Sequence, residues 1–279
     1  MVRHSLEDLL ADLPLGPLHY FNSIGSTNTE ALRLACSGAP HLALVIADAQ
    51  TAGRGRSKRR WVTPPGSALA FSLVLRPDRL PFADGRQVRF CVSSVFTRLT
   101  AVGALAVSTA LERVFGLEAK IKWPNDVLVG GRKLSGVLVE AVWLGQELSA
   151  AVLGIGINVA RESEPPAGEL LFPATSVEAA LGRSVDRWAL LHAVIGSLLD
   201  WLQRLEGPEF LRTWEARLAY RGQPVRVFRE GGAALEGELL GLEEDGALRL
   251  RLPTGALMRI QAGDVHLRPA GVDNQENWE

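Results

Sequence analysis

The period of the apolar positions changes repeatedly along the chain, and each change marks an element. Leu6, Leu9, Leu10 and Leu13 recur at helical spacing from Ser5 onward, until Pro14 and Pro17 end the run. Leu18 to Phe21 is short and strand-like. Thr27, followed three residues later by Glu30, has the capping-box pattern and opens a helix to about Ser37, which Gly38 and Pro40 stop. Leu42 to Ile46 reads as a buried strand, and Ser67 to Leu75 as another that Arg76-Pro77 closes. Leu80 to Phe90 mixes proline and charge and predicts irregular chain. Ser94 to Phe115 carries Val95, Leu99, Val102, Leu105, Leu111 and Val114 on overlapping faces, which predicts a long helix covered by a sheet.

Ala119 to Lys122, Asp126 to Val129, Lys133 to Trp143 and Leu148 to Val159 follow as strands, and Gly130-Gly131 marks a tight hairpin. Arg161 to Leu170 is a Glu/Pro-rich loop, and Arg187 to Leu205 and Pro208 to Leu218 are amphipathic helices. From about Gly222 the strands shorten. Val225 to Phe228, Leu235 to Leu240, Ala247 to Leu252 and Leu257 to Ile260 alternate between Gly231-Gly232, Asp245-Gly246 and Thr254-Gly255. The fold class that follows is α+β: a mixed central sheet with helices packed on one side, then a small C-terminal β-barrel. The boundaries fall at 1–220, 221–270 and a polar tail over 271–279.

The 279 residues, 47% hydrophobic and 22% charged, are those of an ordinary globular chain. A net charge of -1 argues against a protein built for nucleic acid or an anionic membrane. Cys36 and Cys91 lack ligand spacing and sit among apolar residues, which predicts buried free thiols in a reducing compartment. No charged-then-apolar leader opens the chain. The most apolar stretch, Leu99 to Leu111, lies between Arg98 and Glu112 and is too short to span a bilayer. The expected setting is soluble and cytoplasmic.

Against that neutral background Ala47 to Trp61 stands apart. Gly53 and Gly55 free the backbone, while Arg54, Arg56, Lys58, Arg59 and Arg60 crowd like charge before a closing Trp61. Mutual repulsion predicts a loop that is mobile until an anion arrives. A solvated basic surface loop is the plainer alternative.

Lys122-Trp-Pro-Asn-Asp126 is either a simple turn or a place where Asp126 holds Mg2+, a hard cation that prefers carboxylate, water and phosphate oxygens. Lys133-Leu-Ser-Gly136 puts a lysine beside a glycine that clears space in a strand. Gly154-Ile-Gly156-Ile-Asn158 leaves room likewise, with Asn158 offering donor and acceptor to a base edge. It lacks the third glycine of a dinucleotide fingerprint. The scattered His4, His19, His41, His192 and His266 argue against zinc.

Together these stretches resemble the biotin protein ligase family, also called biotin–[acetyl-CoA-carboxylase] ligase. The resemblance rests on Ser26-Thr27-Asn28, Gln50 to Trp61, Lys122 to Asp126, Lys133 to Gly136 and Gly154 to Asn158, in the family's order, and covers Tyr20 to Pro269. It implies a catalytic biotin/lipoate-ligase-like domain over 1–220 and an SH3-like barrel over 221–270. It also implies an ATP-dependent ligase that makes biotinoyl-5′-AMP and transfers biotin to a lysine of the biotin carboxyl carrier domain of acetyl-CoA carboxylase.

By the same resemblance, Ser26, Thr27, Asn28 and Gln50 frame biotin, with Gly53, Gly136 and Gly154 beside it. Arg54, Gly55 and Arg56 fold over carboxylate and phosphates, and Lys133 sits between the reacting groups. Lys122 and Asn125 organise Mg·ATP with Asp126 on the metal. Arg59 and Trp61 take the adenylate, Trp61 stacking on adenine and Asn158 reading its amine. The family loop carries a glycine where this chain has Lys58, and the DNA-binding domain of repressor members is not expected, so neither is a repressor function. A homodimer is a family possibility. A lipoate or octanoate ligase or transferase is the nearest alternative, and a nucleic-acid module using the loop and barrel is a more distant one.

Overall fold

Alternation along the central strands sets the layers, in a computed structural model that describes residues 2–57, 59–81, 92–165, 172–229, 234–261 and 265–269. One sheet of seven strands contains β1 (Leu18–Phe21), β2 (Leu44–Ala47), β3 (Ala68–Leu75), β4 (Ala119–Lys122), β5 (Asp126–Val129), β6 (Arg132–Leu144) and β7 (Glu147–Asn158). Their order is β1-β2-β3-β7-β6-β5-β4, with β1 and β2 parallel and the remaining pairs antiparallel. The mixed sheet is as expected.

In β3, Leu69, Phe71, Leu73 and Leu75 turn to one face, where each is at most 1% exposed. Each such side chain stabilises the fold by roughly 1.5–3 kcal/mol, so this face organises the core. It packs against α3 (Val92–Phe115) and α5 (Arg187–Gln203), together with Leu6 of α1 (Val2–Leu9). α3 approaches β6 closely at Gly103, where a Cβ would stand 2.8 Å from Val137 Cγ1.

The other face is covered by α2 (Thr27–Cys36), whose Ala31 and Ala35 lie on Val45, Val74 and Val152. Helices therefore flank both faces, not one; alanines on α2 allow it to lie close over a face lined by small side chains. The capping box is corrected too. Ser26 occupies the N-cap without a side-chain cap bond, the Thr27 hydroxyl donates to Gln50, and Glu30 pairs with Arg33.

A second, antiparallel sheet holds β8 (Pro224–Arg229), β9 (Leu235–Leu242), β10 (Leu248–Arg251), β11 (Leu257–Ile260) and β12 (Val265–Pro269), in order β11-β10-β9-β8-β12. Among the described residues no ladder joins β11 to β12, so the expected barrel is an open sheet. β11 is a free edge that buries only Ile260. The sequence pattern missed β12 and the short α4 (Val177–Leu181), which Ser176 caps by accepting from the Ala179 amide at 3.2 Å.

The turn between β9 and β10 docks on the larger unit. Trp123 Nε1 donates to the Gly246 carbonyl at 3.0 Å, and the Arg98 guanidinium donates to the carbonyls of Leu205 and Glu244. Glu215 of α6 (Pro208–Ala216) accepts from the Leu242 amide at 2.9 Å. Gly246, at φ +86°, must be glycine, because a Cβ would meet Trp214 at 2.6 Å.

Two further expectations change. Ser94–Phe115 is long and apolar enough to cross a bilayer, contrary to the shorter reading, but 89% of its most apolar window is buried, which makes it a core helix. Cys36, the last residue of α2, is exposed and not buried. Leu80 to Phe90 begins after a 3-10 turn at Pro77–Arg79, and Arg161 to Leu170 opens with another at Arg161–Ser163. Lys58, residues 82–91 (with Cys91), 166–171, Gly231-Gly232 and 271–279 lie outside the described residues.

Gly103→Val is expected to lower unfolding free energy by about 1–3 kcal/mol through overpacking, read as a fall in the urea midpoint at unchanged slope.

Candidate active site

The α2 face of the sheet is shallow where it matters. Lys122, Asp126, Gly136, Gly156 and Ala70 align in register across β4, β5, β6, β7 and β3. The paired glycines make a trough, and Trp61 lies in it. A Cβ on Gly156 would stand 2.3 Å from Trp61 Cε2, and one on Gly136 3.3 Å from Cζ3. Gly154 serves the neighbouring position in the same way, since a Cβ there would be 1.8 Å from Asn28 Oδ1.

The basic loop is a small hairpin over this trough. Gln50 bridges Thr63 and Arg54 bridges Arg60, with Trp61 N donating to Gly53 O at 2.9 Å and Gly55 N to Arg59 O at 2.7 Å. Ser57 takes the left-handed conformation at φ +51°. Gly53 does not line the cleft. It is needed because a Cβ would come within 2.3 Å of the Trp61 carbonyl.

A cavity of about 120 Å³ opens between loop and sheet. Ser26, Thr27, Asn28 and Gln50 line one side, and Arg54, Gly55, Arg56, Arg59, Trp61, Lys122, Asn125, Asp126, Lys133, Gly136 and Gly154 complete the predicted set around it. Besides Gly53, Asn158 is the exception. It lies on the same strand face beyond Gly156, but it is buried outside the lining and its amide donates to the Thr175 carbonyl at 3.1 Å.

Charge divides the cleft. Among the described residues its lining carries Arg54, Arg56, Arg59, Arg60, Lys122 and Lys133 against the single carboxylate of Asp126. Lys133 Nζ is 2.7 Å from Asp126 Oδ1, and Lys122 Nζ is 4.0 Å from Oδ2 and 4.1 Å over the Phe172 ring. Arg56 Nη1 donates to Asn125 Oδ1 at 3.1 Å. Burial alone would push the Asp126 carboxyl up, but Lys133, Lys122 and Arg56 outweigh it and hold it below the usual carboxylate range.

Both Asp126 oxygens face lysines, so the carboxylate is their counter-ion. Among the described residues no cluster of three acidic, His or Cys side chains stands there, and the Mg2+ expected on Asp126 would be held by this one carboxylate together with a nucleotide's phosphates.

Sequence reasoning gave no site role to Trp123, Pro124, Val137, Leu138 and Ile155 in the lining, or to Leu267 from β12, and named Gly156 only as clearing space and Arg60 only as a loop cation. It also missed Ser72 and Glu140 behind the neutral side. Ser72 Oγ lies 2.8 Å from Thr27 Oγ1 and 2.6 Å from Asn28 Oδ1, and Glu140 accepts from Asn28 Nδ2 at 2.9 Å. Both are polar residues at even spacing from small ones on apolar strands, the one signal that marked them.

Residues 20–158 match the Biotin/lipoate A/B protein ligase family, and 221–268 match the Biotin protein ligase C terminal domain. The chain is 38% identical over 248 residues to a biotin–[acetyl-CoA-carboxylase] ligase of Paracoccus denitrificans, covering 86% of this chain and 96% of that one. It belongs to the biotin protein ligase family. A bifunctional ligase/repressor BirA of Bacillus subtilis is 33% identical over 254 residues, covering 90% of this chain and 74% of that protein. Among solved structures, biotin protein ligase from Aquifex aeolicus in complex with biotin and ATP superposes with a TM-score of 0.75 at 30% identity, over 91% of this chain and 99% of that one.

Two outcomes follow for the purified protein. Gly156→Ala is expected to displace Trp61 from the trough, changing near-UV circular dichroism and tryptophan emission while far-UV ellipticity stays unchanged. The depressed Asp126 carboxyl contributes stability that is full above about pH 4, its ordinary value, and is lost as pH falls through its lower folded value. Asp126→Asn should flatten that acid limb in a series of urea melts.

Proposed function

We propose that the protein activates biotin with ATP and transfers it to the carrier-domain lysine of acetyl-CoA carboxylase. The biotin carboxylate attacks the α-phosphorus of ATP, pyrophosphate leaves, and biotinoyl-5′-AMP forms. The lysine amine then attacks the acyl carbon, AMP leaves, and an amide results. The observation that carries this reading is the pairing, in one cleft, of the neutral donors and acceptors of Ser26, Thr27, Asn28 and Gln50 with the cations Arg56, Lys122 and Lys133 around Asp126. A molecule with an uncharged ureido head and an anionic tail beside a triphosphate fits that gradient.

Lys133 stands at the junction of the two sides and offsets the repulsion between carboxylate and α-phosphate, with Asp126 fixing its ammonium. Arg56, held on Asn125, and Lys122 take phosphate oxygens in charge-assisted contacts. Mg2+ would enter with the nucleotide and supply charge neutralisation to its phosphates, with Asp126 as the carboxylate of the cleft toward it. Trp61, seated on the glycines, presents its other face to the adenylate. The adenine role expected of Asn158 falls to its Oδ1 as acceptor from the exocyclic amine, with its Nδ2 held on the Thr175 carbonyl.

The reading extends to organisation. Residues 1–220 form the catalytic unit and 221–270 a C-terminal unit that reaches the cleft through Leu267, without a nucleic-acid partner, as the net charge of -1 supports. An exposed free Cys36 supports a cytoplasmic setting, and a homodimer is the assembly to be read by sedimentation.

ATP–pyrophosphate exchange with Mg2+ tests the reading directly. Exchange is expected with biotin and not with lipoate or octanoate; the reverse preference would move the protein to lipoyl chemistry. Lys133→Gln and Arg56→Ala should each lower biotin-dependent exchange by about 10²–10³-fold, the loss typical of one electrostatic donor to a transition state. Near-normal turnover in either variant removes that residue from the mechanism.

A further inference from the structure

Among the described residues, Glu140 is the one carboxylate shown to touch both the neutral side of the cleft and the basic loop. It follows Gly136 and Leu138 at even spacing on β6 and so shares their face of the sheet. Its Oε2 accepts from Asn28 Nδ2 at 2.9 Å, and its Oε1 pairs with the Arg54 guanidinium, which also donates to Thr29 Oγ1 at 3.3 Å.

The bonds continue beyond Asn28. Its Oδ1 accepts from Ser72 at 2.6 Å, Ser72 meets Thr27 Oγ1 at 2.8 Å, and Thr27 donates to Gln50 Oε1 from its amide at 2.8 Å and its hydroxyl at 3.2 Å. Gln50 Nε2 closes the path on Thr63 Oγ1 at 3.0 Å. Arg54 and Thr63 belong to the two sides of the loop hairpin, so the path clips the hairpin through the first turn of α2.

We propose that Glu140 is a positioning residue that couples the ureido side of the biotin pocket to the basic loop, and that Arg54 is the loop's anchor while Arg56 is its anion clamp. This rests on the biotin reading of the cleft. The Arg54 guanidinium, 43% exposed, is met by a carboxylate that is itself only 20% exposed. Arg56 instead reaches across to Asn125 in the cleft. Biotin engaging Asn28 thereby orders the carboxylate that holds Arg54, and the loop is set for ATP.

Glu140→Gln keeps an acceptor for Asn28 and removes the charge that Arg54 requires, whereas Glu140→Ala removes both. In the free protein, Glu140→Gln should raise trypsin cleavage within residues 54–60 about tenfold, the effect of one charge-assisted hydrogen bond, with sites elsewhere cut at the wild-type rate by mass spectrometry. KM for ATP should rise about tenfold while biotin affinity stays within about threefold; Glu140→Ala should weaken biotin as well. Glu140→Gln added to Arg54→Gln should cost nothing further.

Wild-type loop cleavage in Glu140→Gln, an unchanged KM for ATP with weakened biotin, or full additivity with Arg54→Gln would each overturn the proposal. The trypsin measurement needs no substrate. A wild-type protein inactive with biotin would sink the functional reading while the loop anchor is judged separately.

Discussion

Everything in this molecule depends on the unequal faces of one sheet. On the face against α3 and α5 the strands carry Leu, Ile and Phe, and burial there holds the fold. On the opposite face Gly136, Gly154, Gly156, Ala70 and Ser72 withdraw from contact. That withdrawal makes room for Asn28 and the Trp61 indole, which no strand with ordinary side chains would admit. Stability and site are thus built by the same residues in alternation, and a one-residue slip of β7 would exchange them.

The electrostatics follow from that geometry. Lys122, Lys133 and Arg56 gather with Asp126 where the strands offer no bulk to separate them, and the chain's net charge of -1 means this concentration is local. Asp126 answers only part of it. The remaining positive potential is what a carboxylate and a polyphosphate need in order to approach each other, and low dielectric around the glycine trough strengthens it.

Much of this was legible in the sequence because the relevant residues are consecutive. Gly-Arg-Gly-Arg, Lys-Trp-Pro-Asn-Asp and Lys-Leu-Ser-Gly announce themselves by breaking an apolar pattern, and the strand and helix limits followed from period. What escaped depends on pairing between distant strands. That Gly136 faces Gly156 is a fact of register, not of spacing. Ser72 and Glu140 read as ordinary polar residues in strands until α2 was seen to lie on that face, and the expectation of helices on one side hid it. The barrel reading failed for a similar reason: alternation shows that strands form, but closure depends on whether the two edges meet.

The bond from the Trp123 indole to the Gly246 carbonyl spans 123 positions of chain and has a temporal meaning. While the polypeptide is being made, the segment between β4 and β5 emerges long before its acceptor does. Its indole nitrogen, buried in the finished molecule, must meanwhile bond to water. The neighbourhood of Lys122 and Asp126 is therefore complete only once a turn made far later in the chain has docked beside it, although its own residues are consecutive.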